Sequence, residues 1–197
     1  MSKLTRRAAL TRLATAFAGA AAIDYALAGE AHAFVSQTMA GGVYAPRALS
    51  PAQFRALERL VDLIVPVEGG RPGALDSRVA PWIDSLLAVN DQLKATYVTG
   101  LGWLDATMTS RTGGDFASAP PAQQQALLDL VAFKKNASPE LNPGIEFFVL
   151  ARRMTVDGFY TSEPGIRDVI PGGRPPLPQF IVPQESVDYV ISRSPFK

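Results

Sequence analysis

Apolar residues recur at helical spacing in five stretches of this chain, and no convincing strand pattern appears before Phe180-Ile181-Val182. The first stretch opens at Ser50-Pro51, a capping residue followed by proline at the first helical position. Its apolar face comprises Phe54, Leu57, Val61 and Ile64. Spacings of three and four place these side chains on one side of a helix that ends at Pro66. This pattern predicts an all-α fold.

Four further helices are predicted from the same spacing and from the prolines and glycines that flank it. They are expected over residues 79–89, 91–110, 120–134 and 143–155 or beyond. Gly100 and Gly102 interrupt the longest of them, and each weakens a helix by about 1 kcal/mol relative to alanine. A kink or a close helix crossing is therefore expected there. The sequence predicts one helical domain of about five helices, residues 50–162, with an extended Pro-rich C-terminal tail.

The first 33 residues have the composition of an export signal. Arg6 and Arg7 precede an Ala-rich apolar stretch, which is followed by Ala31-His32-Ala33. A paired arginine, a mild apolar core and an A-x-A ending are typical of a twin-arginine signal peptide, here 1–33, cleaved after Ala33. The alternatives are an ordinary secretory signal and a membrane anchor, although a short stretch that contains Asp24 disfavours an anchor. The signal predicts a periplasmic protein that crosses the membrane folded.

A second cleavage point is available at Ala26-Leu27-Ala28. Cleavage after Ala33 has a chemical consequence, because His32 is the only histidine and the chain has no cysteine. Imidazole and thiolate are the principal ligands of zinc, haem and iron–sulfur clusters, and they also serve as catalytic bases and nucleophiles. The processed chain would lack both groups. No metal and no cofactor is therefore expected in this chain.

Charge, hydropathy and glycine spacing together argue against three kinds of ligand or partner: nucleic acid, a membrane and a dinucleotide. The chain has 19 basic and 18 acidic residues, a formal net charge of +1, and no basic stripe that would favour nucleic acid. No second stretch is long enough to span a membrane, so membrane contact is expected only through partners. Gly100-Leu101-Gly102 lacks the third glycine and the preceding strand of a dinucleotide-binding loop.

Carboxylates are the only remaining groups for acid–base chemistry. Glu58 and Asp62 lie four residues apart on the polar side of the first predicted helix, and Arg55 and Arg59 each lie three residues before one of them. A solvated, ion-paired helix face accounts for this pattern better than a catalytic pair does. Asp105 is expected to bond a neighbouring loop. No residue is therefore predicted to be catalytic.

Both flanks of the helical domain are expected to be extended. Residues 34–49 contain Gly41-Gly42 and Pro46 without an apolar period, which predicts an arm. Residues 163–197 form the Pro-rich tail. Because a proline-rich strand loses little entropy when it becomes ordered, it suits either a clamp on another protein or a strap over the chain's own helices. The residues predicted to bind a partner are Phe159, Tyr160, Pro175, Pro176 and Phe180.

Several short stretches resemble a known family. They are Leu63-Ile64-Val65-Pro66, Pro72-Gly73-Ala74, Gly102-Trp103-Leu104-Asp105, Gln123-Gln124-Gln125-Ala126-Leu127-Leu128, and Phe147-Phe148 through Arg153-Met154-Thr155-Val156-Asp157-Gly158-Phe159-Tyr160-Thr161-Ser162. Together they are similar to the gluconate 2-dehydrogenase subunit 3 family, the small subunits of exported flavoprotein dehydrogenases. The resemblance covers about residues 49–165, and its last stretch is the most specific.

The resemblance implies an FAD-dependent large dehydrogenase subunit of the glucose–methanol–choline type, which oxidises a sugar, sugar acid or polyol. In that family a c-type cytochrome subunit often takes the electrons onward. The small subunit is not the seat of catalysis, so no catalytic residue is implied here. Two rival functions stay open at this point: a free-standing periplasmic binding or scaffold module, and an enzyme that works with carboxylates alone.

Overall fold

A computed structural model describes residues 25–39, 43–170, 182 and 184–193. Within these residues the chain forms eight α-helices and one short 3₁₀ turn, Lys134–Asn136. The helices are α1 (Tyr25–Met39), α2 (Pro51–Ile64), α3 (Val79–Leu87), α4 (Asp91–Thr112), α5 (Pro121–Val131), α6 (Asn142–Tyr160), α7 (Glu163–Val169) and α8 (Gln184–Arg193). The only β-type pairing in this part of the chain is an isolated bridge between Glu68 and Arg71.

The all-α class is confirmed, and α2 to α6 correspond to the five predicted helices. The expected count of about five is wrong, because helices also form in both flanks. Helix α1 covers residues 34–39, which were predicted to be extended, and α7 and α8 lie in the predicted tail. Proline misled the prediction at α7: Pro164 lies in its first turn, where a missing N–H costs nothing. The hydroxyl of Ser162 caps that helix by accepting the Gly165 N–H.

Helix α2 begins as its sequence predicts. The Ser50 hydroxyl accepts the backbone N–H of Gln53, and the Gln53 side chain in turn accepts the backbone N–H of Ser50. This capping box satisfies two donors that a helix start otherwise leaves unpaired. The apolar face of α2 then packs into the core through Phe54, Leu57 and Val61. Both the cap and the apolar face of α2 are therefore predictable from the sequence.

Helix α6 is the central element and packs against α2, α3, α4, α5 and α7. It approaches α4 closely, because a Cβ on Gly100 would stand 2.1 Å from the ring of Phe147. A Cβ on Gly144 of α6 would likewise stand 2.3 Å from the indole of Trp103 in α4. The predicted close crossing is thus confirmed at Gly100. A Cβ on Gly102 would have no atom within 4 Å, so Gly102 takes no part in the crossing.

None of the helices among the described residues is long and apolar enough to cross a membrane. The positions of Arg6 and Arg7 in the leader, and of Pro175, Pro176 and Phe180 in the tail, lie outside the described residues.

Candidate interaction surfaces

Helix α1 packs on α3. Ala31 and Val35, one helical turn apart, are 0% and 1% exposed and belong to the hydrophobic core. Phe34 is partly buried against the same core, and the guanidinium of Arg47 lies 5.5 Å from the centroid of its ring. The end of the predicted export signal is therefore part of the folded body.

His32 forms the polar centre of this contact. Its ring stacks on Trp82 with centroids 5.5 Å apart and planes 12° from parallel. Its Nε2 lies 3.0 Å from Oγ1 of Thr161, and that hydroxyl donates to the carbonyl of Asp157. The direction of the His32–Thr161 bond follows the tautomer, because a neutral imidazole has one N–H group and one acceptor nitrogen. Burial lowers the pKa of His32 to about 4, against a smaller opposing effect of the Gly158 carbonyl. The neutral imidazole is the docked form.

An open groove of about 760 Å³ runs beside α1. Its rim carries both signs of charge, from Asp76 and Arg78 ahead of α3 and from Glu163 and Arg167 of α7. The hydroxyl of Ser77, also in the lining, is buried without a hydrogen-bond partner. The mixed charge gives the groove no clear preference for an anion or a cation.

Asp84 is the buried acid that sequence reasoning missed. Its carboxylate, fully buried in α3, accepts the Tyr44 hydroxyl at 2.8 Å and the backbone N–H groups of Arg47, Ala48 and Leu49 at 2.7, 3.2 and 3.0 Å. All its bonds go to the segment before α2, so its role is to fasten that segment to the body. A lone acid between Trp82-Ile83 and Leu86-Leu87 was the available signal.

The carboxylates that the sequence did single out have structural partners. Asp62 pairs with Arg59 at 2.6 Å, and Asp105 accepts the backbone N–H of Phe116 at 3.0 Å, which confirms the expected loop contact. Glu58 is partly exposed, and burial raises its pKa while Arg55 opposes that shift. Within the described part of the chain, no three acidic or histidine side chains are grouped to hold a metal ion. Of the two acids on α2, Asp62 is thus ion-paired, while Glu58 interacts with the charge of Arg55.

Two predicted partner-binding residues lie at the end of α6 and differ in exposure. Phe159 is 2% exposed and belongs to the core, whereas Tyr160 is 44% exposed. Their rings meet edge to face with centroids 4.9 Å apart. Phe159 therefore orients Tyr160, and only Tyr160 is available on the surface.

A surface of mixed character lies on α7 and the loop before α3, where the charge of Arg71 also interacts with Tyr160. Arg71 donates from Nε and Nη2 to the two carboxylate oxygens of Asp168, both at 2.7 Å, and so ties the loop before α3 to α7. This pairing lowers the pKa of Asp168. Val169 and Ile170, the next residues, are exposed. We call Arg71, Tyr160, Asp168, Val169 and Ile170 the α7 surface.

The described part of the chain is thus a small all-α domain. Its candidate interaction surface combines a bidentate ion pair with exposed apolar side chains at the end of α6 and on α7. The family model for gluconate 2-dehydrogenase subunit 3 matches residues 51–172, the span from α2 through α7. The chain belongs to the gluconate 2-dehydrogenase subunit 3 family, as its sequence resemblance predicted. Searches of curated proteins and of solved structures found no match. Helix α1 lies outside the matched span.

Proposed function

We propose that this chain is the non-catalytic small subunit of a periplasmic, FAD-dependent dehydrogenase of the glucose–methanol–choline type. Its contribution is export and assembly of the flavoprotein subunit that oxidises a sugar or sugar acid. The observation that carries the proposal is membership of a family of third subunits, since a third subunit implies a complex. FAD would reside in the large subunit, and a c-type cytochrome subunit would accept the electrons.

A physical reason links export to assembly. A flavoprotein must fold around FAD where FAD is available, in the cytoplasm, and must then cross the membrane folded. A twin-arginine signal serves that route. The Arg6-Arg7 pair on this chain would then direct a preassembled complex.

The α7 surface is the part of the described body best suited to the large subunit. Tyr160 offers an exposed aromatic ring with a hydroxyl, the combination that is enriched at protein interfaces. Val169 and Ile170 add apolar area directly before residue 171, where the predicted proline-rich tail continues. A stable heterodimer buries about 1,200 Å² or more in total, so the tail would have to extend this surface.

Affinity purification from the native host tests the proposal. The full chain carries a C-terminal tag, and the eluate is analysed by mass spectrometry and visible absorption. We expect a stoichiometric large subunit and flavin absorbance. A colourless, solitary chain would instead support the free-standing binding module, while catalytic activity of the isolated chain would support the carboxylate enzyme.

The shared signal has its own test. Arg6→Lys with Arg7→Lys should leave both this chain and its flavoprotein in the cytoplasm, whereas Arg12→Lys, a matched change in the same leader, should not. Normal periplasmic dehydrogenase activity in the double variant would defeat the idea that one signal serves both subunits.

A further inference from the structure

The A-x-A motif lies on a docked helix. The bond between Ala33 and Phe34 is in the interior of α1, with helical residues on both sides from Tyr25 to Met39. A signal peptidase recognises small side chains one and three positions before the bond that it cuts. Here the residue three positions before is Ala31, which is 0% exposed against the body. The first alanine of the motif, which a signal peptidase must bind, is thus buried and inaccessible.

The contacts on the two sides of this bond resist opening. Before the bond, His32 stacks on Trp82 and bonds Thr161 at 3.0 Å. After it, Val35 is 1% exposed in the core. A protease reaches a helical bond only when the segment opens locally, and opening here would break both contacts together.

We infer that the Ala33–Phe34 bond is protected in the folded chain and that residues 29–38 remain as a structural helix of the exported protein. Alanine at position 31 then has a packing role, since only a small side chain lets α1 approach the body so closely. Cleavage at the other candidate point, after Ala28, is compatible with this arrangement. That bond lies within the first four described residues of α1, before every buried contact described above, and its cleavage would spare His32 and Val35.

Limited proteolysis of the purified full chain tests the protection without any requirement for export. Elastase cuts after small residues, and mass spectrometry follows the product that begins at Phe34. Val35→Asp places a charge at a buried position but leaves Ala31 and Ala33 unchanged, so recognition of the bond is intact. Gln37→Asp, on an exposed position of the same helix, is the matched control.

We expect the Phe34 product to form at least about tenfold faster in Val35→Asp than in the wild-type chain, with Gln37→Asp unchanged, because cleavage follows the open population. Absence of cuts between residues 51 and 170 in the same digest verifies that the body is folded. Should Val35→Asp fail that check, Thr161→Val, which removes only the oxygen that His32 bonds, takes its place. Equal rates in the wild type and the undocked variant would overturn the inference.

The cellular test rests on the proposed export and separates the two ideas. The intact mass of the chain is measured in the periplasmic fraction and in the purified complex. A chain that begins at residue 29 or earlier supports the inference, and one that begins at Phe34 overturns it. A chain found only in the cytoplasm would count against the proposed export, while the elastase digest still decides the protection of the bond.

Discussion

The segment before α2 and the crossing of α4 with α6 are held to the molecule by different physics. At the crossing, Gly100 and Gly144 admit the rings of Phe147 and Trp103, and the contact is apolar apart from one buried hydrogen bond, which the Tyr97 hydroxyl donates to the sulfur of Met154. The segment before α2, residues 25–39 and 43–50, also packs apolar side chains into the core but adds buried polar bonds, above all those of Asp84 to the residues before α2 and that of His32 to Thr161.

The difference determines how each region responds to conditions. Apolar packing changes little with pH, whereas a buried imidazole with a lowered pKa docks less tightly as the pH falls and it gains a proton. Directional bonds also fail completely when one partner is removed, because the other partner is left unpaired. The segment before α2 is therefore the region that conditions or single substitutions can release, while the crossing stays closed.

The largest effect is expected at Asp84. Asp84→Asn replaces one acceptor oxygen with an amide donor, which then faces the Tyr44 hydroxyl and a backbone N–H across a buried site. Two lost bonds and their unpaired donors should lower the free energy of unfolding by about 3 kcal/mol. Urea denaturation measures this. The matched change Asp62→Asn in a partly exposed ion pair should cost less than about 1 kcal/mol. Equal losses in the two variants would contradict the role of Asp84.

The crossing provides the next test. In Gly100→Ala the new methyl group would overlap the buried Phe147 ring, and such overpacking should cost about 2 kcal/mol, even though alanine favours a helix. Gly102→Ala adds the same atom two residues away in open space and should stabilise the protein by up to about 1 kcal/mol. Thermal denaturation of the pair compares them directly. If both variants were stabilised, α4 and α6 would not be as close as we describe.

His32 makes the contrast measurable as a pH dependence. Its docked pKa of about 4 lies below the ordinary value of 6.5, so docking is unaffected above pH 6.5 and weakens as the pH falls toward 4. At pH 5.5 the docking equilibrium should be about tenfold weaker, or about 1 kcal/mol. Asp76, Arg78, Glu163 and Arg167 line the adjoining groove and face the same region.

Proton NMR can follow this titration without ambiguity, because His32 is the only histidine. We expect its midpoint to lie well below 6.5 in the wild-type chain and near 6.5 in Val35→Asp. A wild-type midpoint near 6.5 would show that the imidazole is in water rather than stacked on Trp82.

The same contrast explains what could be predicted from the sequence. The crossing follows from local patterns, because the stripe on α4 and the glycine at position 100 both appear in the residues themselves. The site at His32 joins residues 129 positions apart, and no local period connects them. Asp84 likewise bonds residues 35 to 40 positions earlier. Long-range polar bonds leave no periodic trace, so the sequence predicts an extended arm where the second half of helix α1 is docked on the body.

The smallest effect is expected at the boundary between the two regions, where Ser50 caps α2. Ser50→Ala removes the acceptor for the Gln53 N–H and should cost about 1 kcal/mol, whereas Ser50→Asp, which preserves an acceptor, should cost little. Urea denaturation of the two variants checks this. Hydrogen exchange then shows which region the cap supports: faster exchange confined to the first turn of α2 makes the cap a local feature of the bundle. If exchange also rose in residues 44–49, the segment before α2 and the helical bundle would open as one unit rather than independently.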